Sequence, residues 1–260
     1  RSTAFGVLRD HPGPDQPSAK PQLQLAVHTP DGGRLIAARK LLLATGAHDM
    51  PVAFPGWTTP GVMTAGAVQS LLKSQKLLAG KRLVLAGSHP ILLVLAGQLL
   101  DAGAEIAEIA FSRGLPRLSE MVAALPAVPG HVALFADAAR ALGKIALRRV
   151  PVSLHTIIAR ADGRDTVTGV RLAQVDRNWK PTGKERAVQA DILALGYGFS
   201  PTTDLARQAG CRLIWQSAKG GWVVAHDAGF RTSAEDVFVA GEPGGVAGPS
   251  GPGPAAGWPD

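Results

Sequence analysis

The stretch KRLVLAGSHPILLVLAGQLLDAGAEI, from Lys81 to Ile106, decides the fold that the sequence predicts. A short apolar run over Leu83–Ala86 predicts a buried strand that ends at Gly87, and a long apolar helix follows. A second strand begins near Glu105, after the Ala-Gly pair that ends the helix. Strand, turn, helix and strand in this order form the βαβ unit of a parallel sheet, so the sequence predicts an α/β protein.

The turn after this strand, Gly87–Pro90, departs from the glycine pattern that binds a dinucleotide. That pattern, GxGxxG, has a second glycine two positions after the first, where the backbone approaches the pyrophosphate, and this chain has His89 there. Pro90 suits the first turn of a helix, whose N-terminus would offer N–H donors to a phosphate. Two interpretations stay open: a turn that still binds a nucleotide, and a packed unit that only keeps the shape of one.

The composition narrows the class of protein. Hydrophobic residues make up 46% and charged residues 18% of the chain, and Cys211 is its one cysteine, so no CxxC pair or internal disulfide can form. The net charge of +7 is dispersed and aromatic residues make up only 5%, which argues against a nucleic-acid partner. The histidines lack metal-ligand spacing, so no metal site is predicted. With no secretory signal and no membrane-spanning run, we expect a cytoplasmic protein.

The remainder of the chain predicts strands and turns on both sides of the βαβ unit. The polar, proline-rich residues 6–20 predict a loop, and the two apolar runs around residues 31–33 predict a hairpin. Residues 117–147 have helical spacing with a break near their middle, and a meander of strands follows. A last buried strand, Val237–Ala240, ends in a glycine-rich turn.

Two buried strands end in short motifs that could contact a ligand. ATG (Ala44–Gly46) ends the first, and AGE (Ala240–Glu242) ends the second. Ligands of open α/β sheets lie at the carboxyl ends of strands, where a carboxylate such as that of Glu242 can accept hydrogen bonds from a polyol chain. The turn Pro243–Gly245 that follows can expose backbone N–H groups. The other interpretation of Glu242 is a solvated turn carboxylate.

The run LLLATGAHDMPVAFPGWTTPGVMTAGAVQSLLKSQKLLAGKRLVLAGSHP resembles the flavoprotein reductases that have two dinucleotide domains. Within that group the chain is most similar to the nucleotide-binding subunits of opine oxidases, hydrogen cyanide synthase, heterotetrameric sarcosine oxidase (the alpha subunit) and dye-linked proline dehydrogenase. ATGAHDMPVAFPGWTTPGVMTAG is the most specific part. GYGFSPTTDLARQAGC (196–211) and GGWVVAHDAGFRTSAEDVFVAGEPGG (220–245) match the same family in the same order.

This resemblance implies two Rossmann-like dinucleotide-binding domains, one inserted in the other. The FAD-binding domain would comprise residues 1–74 and 199–260, and the inserted NAD(P)-type domain would comprise residues 75–198. The first GxGxxG of the family lies upstream of the ATG strand and has no counterpart here, and the Gly/Pro tail from about residue 247 departs from the family pattern. We therefore expect this sequence to be a fragment.

The resemblance also implies a cofactor and its contacts. FAD would be bound, with the ATG motif near its phosphates or ribose and the AGE motif near its ribityl chain, while the Gly87 turn would face NAD(P) as a second nucleotide. No catalytic residue is predicted, because substrate oxidation in that family belongs to a partner subunit. The predicted cofactor-binding residues are Ala44, Thr45, Gly46, His48, Gly87, Ser88, Gly241, Glu242, Gly244 and Gly245.

The function implied is that of an FAD-dependent oxidoreductase. The protein would be the electron-relaying, nucleotide-binding subunit of an amine or amino-acid dehydrogenase complex, acting on an opine, sarcosine, proline or glycine-like substrate. A second FAD-containing subunit would oxidise the substrate, which makes a hetero-oligomer the expected assembly. The alternative is a truncated or degenerate, non-catalytic scaffold that keeps a nucleotide-binding shape.

Overall fold

The computed structural model describes residues 2–10, 22–114 and 132–246, and the chain divides into two compact units. The central unit is Asp49–Gly198, and the flanking unit combines Arg1–His48 with Phe199–Asp260. The chain therefore leaves the flanking unit, forms the central unit and returns. The assignment of residues 1–74, 75–198 and 199–260 to FAD and NAD(P) domains stays a prediction.

The described residues form seventeen strands and four α-helices. The strands are β1 (Thr3–Asp10), β2 (Gln22–Thr29), β3 (Gly32–Ala38), β4 (Leu41–Leu43), β5 (Ala47–Asp49), β6 (Val62–Thr64), β7 (Arg82–Gly87), β8 (Glu105–Phe111), β9 (Val152–Ser153), β10 (Thr156–Asp162), β11 (Gly169–Val175), β12 (Pro181–Gln189), β13 (Ile192–Gly196), β14 (Phe199–Pro201), β15 (Leu213–Gln216), β16 (Gly221–Val224) and β17 (Val237–Val239). The helices are α1 (Ala65–Ser70), α2 (Ile91–Asp101), α3 (Val132–Leu147) and α4 (Asp204–Gln208), with a π-helical turn over Leu71–Gln75 and 3-10 turns over Ser217–Lys219 and Glu242–Gly244.

The central unit is built on a parallel sheet of five strands in the order β6-β13-β7-β8-β9. A separate antiparallel meander, β10-β11-β12, lies in the chain between β9 and β13 of that sheet. Helix α2 connects β7 to its parallel neighbour β8, which confirms the predicted βαβ unit. The α/β class predicted from that unit is therefore confirmed.

Strand β7 is apolar from Leu83 onwards because both of its faces are buried there. Leu83 and Leu85 pack into a cluster with Leu92 and other residues of α2. Val84 and Ala86, on the opposite face, pack with residues of the meander. Successive side chains of a strand point to opposite faces, so a strand covered on both sides needs apolar residues at every position. Full burial of each large aliphatic side chain stabilises the unit by about 1.5–3 kcal/mol.

The flanking unit contains an antiparallel sheet, β1-β2-β3, and a parallel pair, β4 and β17. Its core includes Val7 of β1, Leu43 of β4, Val239 of β17 and Cys211, which is buried. Strands β15 and β16 form a hairpin in which Trp215 is paired with Trp222. Both indole rings are largely exposed and meet edge to face, with their centroids 5.6 Å apart.

Several local predictions are tested by these bounds. The loop predicted for residues 6–20 is wrong at residues 6–10, which belong to β1, because Val7 is buried and the strand pairs with β2. The hairpin at residues 31–33 is confirmed by β2 and β3. Helix α3 confirms the later part of the helical prediction for residues 117–147. Residues 11–21 and 115–131 and the predicted tail from about residue 247 lie outside the described residues.

No helix within the described ranges is both long enough and apolar enough to cross a membrane.

Candidate functional site

The carboxyl ends of β4 and β17 bring the ATG and AGE motifs together. The two strands are parallel neighbours, with Leu43 paired to Val239, and the Ala240 N–H donates to the Leu43 carbonyl at 2.9 Å. A Cβ added to Gly46 would lie 3.5 Å from Oε2 of Glu242, so these two predicted residues are close. We use the name strand-end site for the residues Ala44–Gly46 and Gly241–Glu242.

The backbone of the strand-end site requires glycine at two positions. Gly46 has φ +70° and Gly241 has φ +75°, values that residues with a Cβ rarely adopt. A Cβ added to Gly241 would find no other atom within 4 Å, so this glycine serves the turn and leaves open space beside Glu242. Glu242 is exposed, and its Oε2 lies beside Gly46. It is available as an acceptor for a ligand hydroxyl.

Thr202 holds the loop that follows β4. Its carbonyl accepts a hydrogen bond from Thr45 Oγ1 at 2.6 Å, and its N–H donates to the Gly46 carbonyl at 3.0 Å. Its hydroxyl also lies 3.3 Å from Nδ1 of His48. Thr202 was not among the predicted site residues, although it lies in the 196–211 run that carried the resemblance. The Thr45 hydroxyl is thereby engaged with the protein, and it positions the ATG loop.

In the turn Pro243–Gly245, the backbone N–H groups of both glycines are already bonded to carbonyls of the chain, so they are not available to a ligand. The N–H groups of Gly244 and Gly245 donate to the carbonyls of Gly241 and Glu242, at 3.1 and 2.8 Å. Within the described part of the chain, the N–H groups of Gly241 and Glu242 have no acceptor. A Cβ on Gly244 would lie 2.9 Å from Nε2 of His226, so that glycine is required by packing. The cofactor contacts predicted for Gly244 and Gly245 stay predictions.

The Gly87 turn lies in the central unit and is tightly packed. A Cβ on Gly87 would lie only 2.0 Å from the carbonyl oxygen of Gly196 on β13. That oxygen accepts the N–H groups of Ser88 and His89, at 3.0 and 2.9 Å. The Ser88 hydroxyl donates to the carbonyl of Tyr197 at 3.4 Å, and burial raises the pKa of the Tyr197 phenol to about 12. The turn is thus bonded to the strand beside it.

His89 places its ring at the start of α2. Its Nδ1 accepts a hydrogen bond from the Ile91 N–H at 3.2 Å, so a side chain just before the N-cap residue Pro90 satisfies the first N–H of the helix. Nδ1 can accept only in the neutral imidazole. Burial lowers the pKa of His89, and the nearby negative charge of Asp49 opposes that shift in part. The cap is therefore present when His89 is uncharged.

We expect this cap to make stability depend on pH. Because the pKa of His89 is lower in the folded state than its ordinary 6.5, the unfolded chain binds more protons in the window below 6.5, and protonation favours unfolding. The contribution should be complete above pH 6.5 and lost as the pH falls through the folded pKa. The hydrogen bond from the Ile91 N–H to Nδ1 should itself contribute about 1 kcal/mol.

Denaturant-induced unfolding measured across that pH range tests this expectation. His89→Asn is the matched variant, because an asparagine oxygen caps a helix without titrating. The difference in unfolding free energy between the two proteins should change with pH. A constant difference would contradict the role of the neutral ring.

Two features are typical of dinucleotide-binding oxidoreductases. One is a parallel sheet whose βαβ turn begins with a glycine, and the other is a site at the carboxyl ends of parallel strands. Residues 16–247 match the family described as Pyridine nucleotide-disulphide oxidoreductase, and the chain belongs to that family. The predicted resemblance is confirmed. The description of the family is that of an oxidoreductase.

Curated relatives of this family are similar over much of the chain. One of them, a subunit of the opine oxidase of Rhizobium meliloti, is 31% identical over 91% of this chain and 43% of its own length. The HcnB subunit of the hydrogen cyanide synthase of Pseudomonas aeruginosa is 38% identical over 65% of this chain and 36% of its own length. The chain thus spans less than half the length of these two relatives.

A solved structure supports the fold. The FAD-dependent pyridine nucleotide-disulphide oxidoreductase of Desulfovibrio vulgaris superposes with a TM-score of 0.61 at 20% identity, over 92% of this chain and 52% of that one. The predicted fold of Rossmann-like dinucleotide-binding type is confirmed by this match. No group of His, Cys, Asp or Glu residues suited to a metal ion occurs within residues 2–10, 22–114 and 132–246.

Proposed function

We propose that the protein is an FAD-dependent oxidoreductase that acts as the electron-relaying, nucleotide-binding subunit of a complex oxidising amines or amino acids. The strand-end site carries this proposal, because it combines an exposed carboxylate with two glycines that hold an open turn. The relatives named above are subunits of opine oxidase and of hydrogen cyanide synthase, which supports the same kind of complex.

The residues of the strand-end site fit the polyol side of FAD. The Glu242 carboxylate would accept hydrogen bonds from ribityl hydroxyls, and the N–H groups of Gly241 and Glu242 would donate to neighbouring oxygens. The positive φ of Gly46 lets the chain pass beside Glu242 without a side chain between them. Bound FAD would supply the redox chemistry, and the protein would position it and control access of water.

A partner that oxidises the substrate fits this division of roles. His48 and Glu242 are the titratable side chains of the predicted flavin contacts, and His48 lies against the Thr202 hydroxyl. Neither forms a hydrogen bond or ion pair with another titratable side chain in the described residues. The partner in this proposal is a second FAD-containing subunit, and the substrate is an opine, sarcosine, proline or glycine-like amine.

A second candidate function is that of a non-catalytic scaffold. The bonding of the Gly87 turn to Gly196 favours it, because a turn that packs against its own strand can stabilise an assembly without any nucleotide. This candidate differs from the first in one measurable respect. It requires that the protein binds no flavin.

We expect Glu242→Ala to weaken flavin binding by about tenfold or more, since a lost hydrogen bond to a charged group is worth about 1.5–3 kcal/mol. The measurement is the fraction of bound flavin, from its visible absorption, after gel filtration and after titration with added FAD. Glu185→Ala is the control, because Glu185 is an exposed carboxylate on β12 of the central unit.

The outcomes separate the two candidates. Flavin that is bound by the unaltered protein and by Glu185→Ala, and weakened in Glu242→Ala, supports the proposed site. Equal binding by all three proteins would place the flavin elsewhere. A protein that takes up no FAD would leave the scaffold as the function.

A further inference from the structure

We infer that the Gly87 turn is closed to nicotinamide dinucleotides by the chain itself. The imidazole of His89 and the carbonyl of Gly196 occupy the N–H donors that a pyrophosphate would need at this turn. The inference concerns the central unit alone, so it stands apart from the proposed flavin site.

The backbone donors of the turn are all engaged. Ser88 and His89 donate their N–H groups to the Gly196 carbonyl, at 3.0 and 2.9 Å. Two adjacent N–H groups of such a turn are the ones that hold a phosphate in a nucleotide-binding protein. Here both point at the neighbouring strand, so a pyrophosphate would have to displace the bonds between the turn and β13.

The first turn of α2 has no spare donor either. Pro90 has no N–H group, and Ile91 donates to Nδ1 of His89 at 3.2 Å. Leu92 and Leu93 donate to the carbonyls of His89 and Pro90, at 3.3 and 3.0 Å. The imidazole thus lies where an anion would bind at a helix N-terminus, and it makes the hydrogen bond that a phosphate oxygen would make.

The ribose side of the turn also differs from an NAD site. In that fold an acidic residue near the end of the second strand binds the ribose hydroxyl of NAD, whereas an arginine nearby can accommodate the 2′-phosphate of NADP. Here Ser112 follows β8, only 2% exposed, and both its N–H and its hydroxyl donate to the Gly87 carbonyl, at 2.9 and 3.2 Å. The serine therefore ties β8 to the turn and offers no carboxylate.

The residues present do not fit NAD(P), which the name of the family implies as a partner. At this turn the neutral Nδ1 of His89 accepts the N–H that a phosphate oxygen would accept in a nucleotide-binding protein. It follows that the role of this turn is to stabilise the βαβ unit. Nicotinamide nucleotides would then neither deliver nor remove electrons at this turn.

Direct binding of NADH and NADPH, followed by nucleotide fluorescence, tests the inference on the purified protein and two variants. The unaltered protein should show no saturable binding up to about 1 mM. His89→Gly removes the cap and the ring, and should bind at least about tenfold more tightly. His89→Asn keeps an acceptor for the Ile91 N–H and should stay closed.

Three results would overturn the inference. One is saturable binding by the unaltered protein below about 100 µM that ADP-ribose displaces. Another is binding by His89→Asn as tight as that by His89→Gly, which would make crowding, not capping, the obstacle. The third is no gain in His89→Gly.

A spectroscopic measurement covers the case in which His89→Gly does not fold. Nitrogen-15 spectra of the unaltered protein should show His89 with the proton on Nε2 and with an unprotonated Nδ1 that accepts the Ile91 N–H. A proton on Nδ1 at neutral pH would contradict the cap. Flavin content is not expected to change in any of these experiments, so failure here leaves the proposed function standing.

Discussion

Replacing Gly87 with alanine should leave the central unit largely unfolded. The added Cβ would lie 2.0 Å from the Gly196 oxygen and 2.4 Å from its carbonyl carbon, far inside contact distance. Gly196 cannot simply move aside, because its carbonyl holds the N–H groups of Ser88 and His89 and a Cβ on Gly196 itself would already meet Leu92 at 2.5 Å. Separation of two central strands should cost more than about 4 kcal/mol.

Gly103→Ala is the matched control in the same unit. Gly103 ends α2 with φ +82°, and a Cβ there would have no neighbour within 4 Å. This substitution should cost only about 1 kcal/mol, the strain of a positive φ. Soluble yield and thermal unfolding by circular dichroism distinguish the two variants. If both melted within a few degrees of the unaltered protein, β7 and β13 could not be as close as described.

The second large effect is expected from Arg186→Met. Glu108 on β8 is a carboxylate with only 4% of its surface exposed, and both terminal nitrogens of Arg186 on β12 contact it. Ser153 on β9 donates to the same carboxylate at 2.5 Å. Removing the arginine leaves a buried charge with one neutral donor. Arg186 itself is about half exposed. We therefore expect the free energy of unfolding to fall by about 3 kcal/mol, the low end of the range for breaking a buried ion pair.

Two further variants test whether the unpaired carboxylate of Glu108 causes that loss of stability. Arg160→Met breaks an exposed ion pair with Asp162 in the same unit, and should cost at most about 1 kcal/mol. Combining Arg186→Met with Glu108→Leu removes both charges and should recover most of the stability. Denaturant-induced unfolding of the four proteins gives the comparison. A double variant as unstable as the single one would show that packing, and not the unpaired carboxylate, dominates.

The sequence was sufficient for the central βαβ unit because its signals are local. The apolar run Leu83–Ala86 of β7, followed by a glycine and a helix, needs no knowledge of distant partners. Strand β1 was missed for the opposite reason. Its partner, β2, lies beyond residues 11–21, and its own pattern contains one buried valine, Val7, among mostly exposed residues.

The contacts within the candidate sites could not be predicted from the sequence, because they also join residues whose relative positions only the fold determines. Thr202 uses its own backbone atoms to bind the Thr45 hydroxyl and the Gly46 carbonyl, more than 150 residues away in the chain. His89 was recognised as a departure from the glycine pattern, but the hydrogen bond of its ring to Ile91 depends on side-chain geometry. The sequence motifs predicted where ligands could lie. Which backbone N–H donors remain available to those ligands depends on three-dimensional contacts.

The edge-to-face pair of Trp215 and Trp222 gives the flanking unit its own optical signature. Two indoles with centroids 5.6 Å apart and planes inclined by 73° should couple their electronic transitions and produce an exciton couplet in the ultraviolet circular dichroism spectrum. Because both rings belong to one hairpin, the couplet reports the integrity of that unit alone. The order in which the two units melt can therefore be followed without an introduced label.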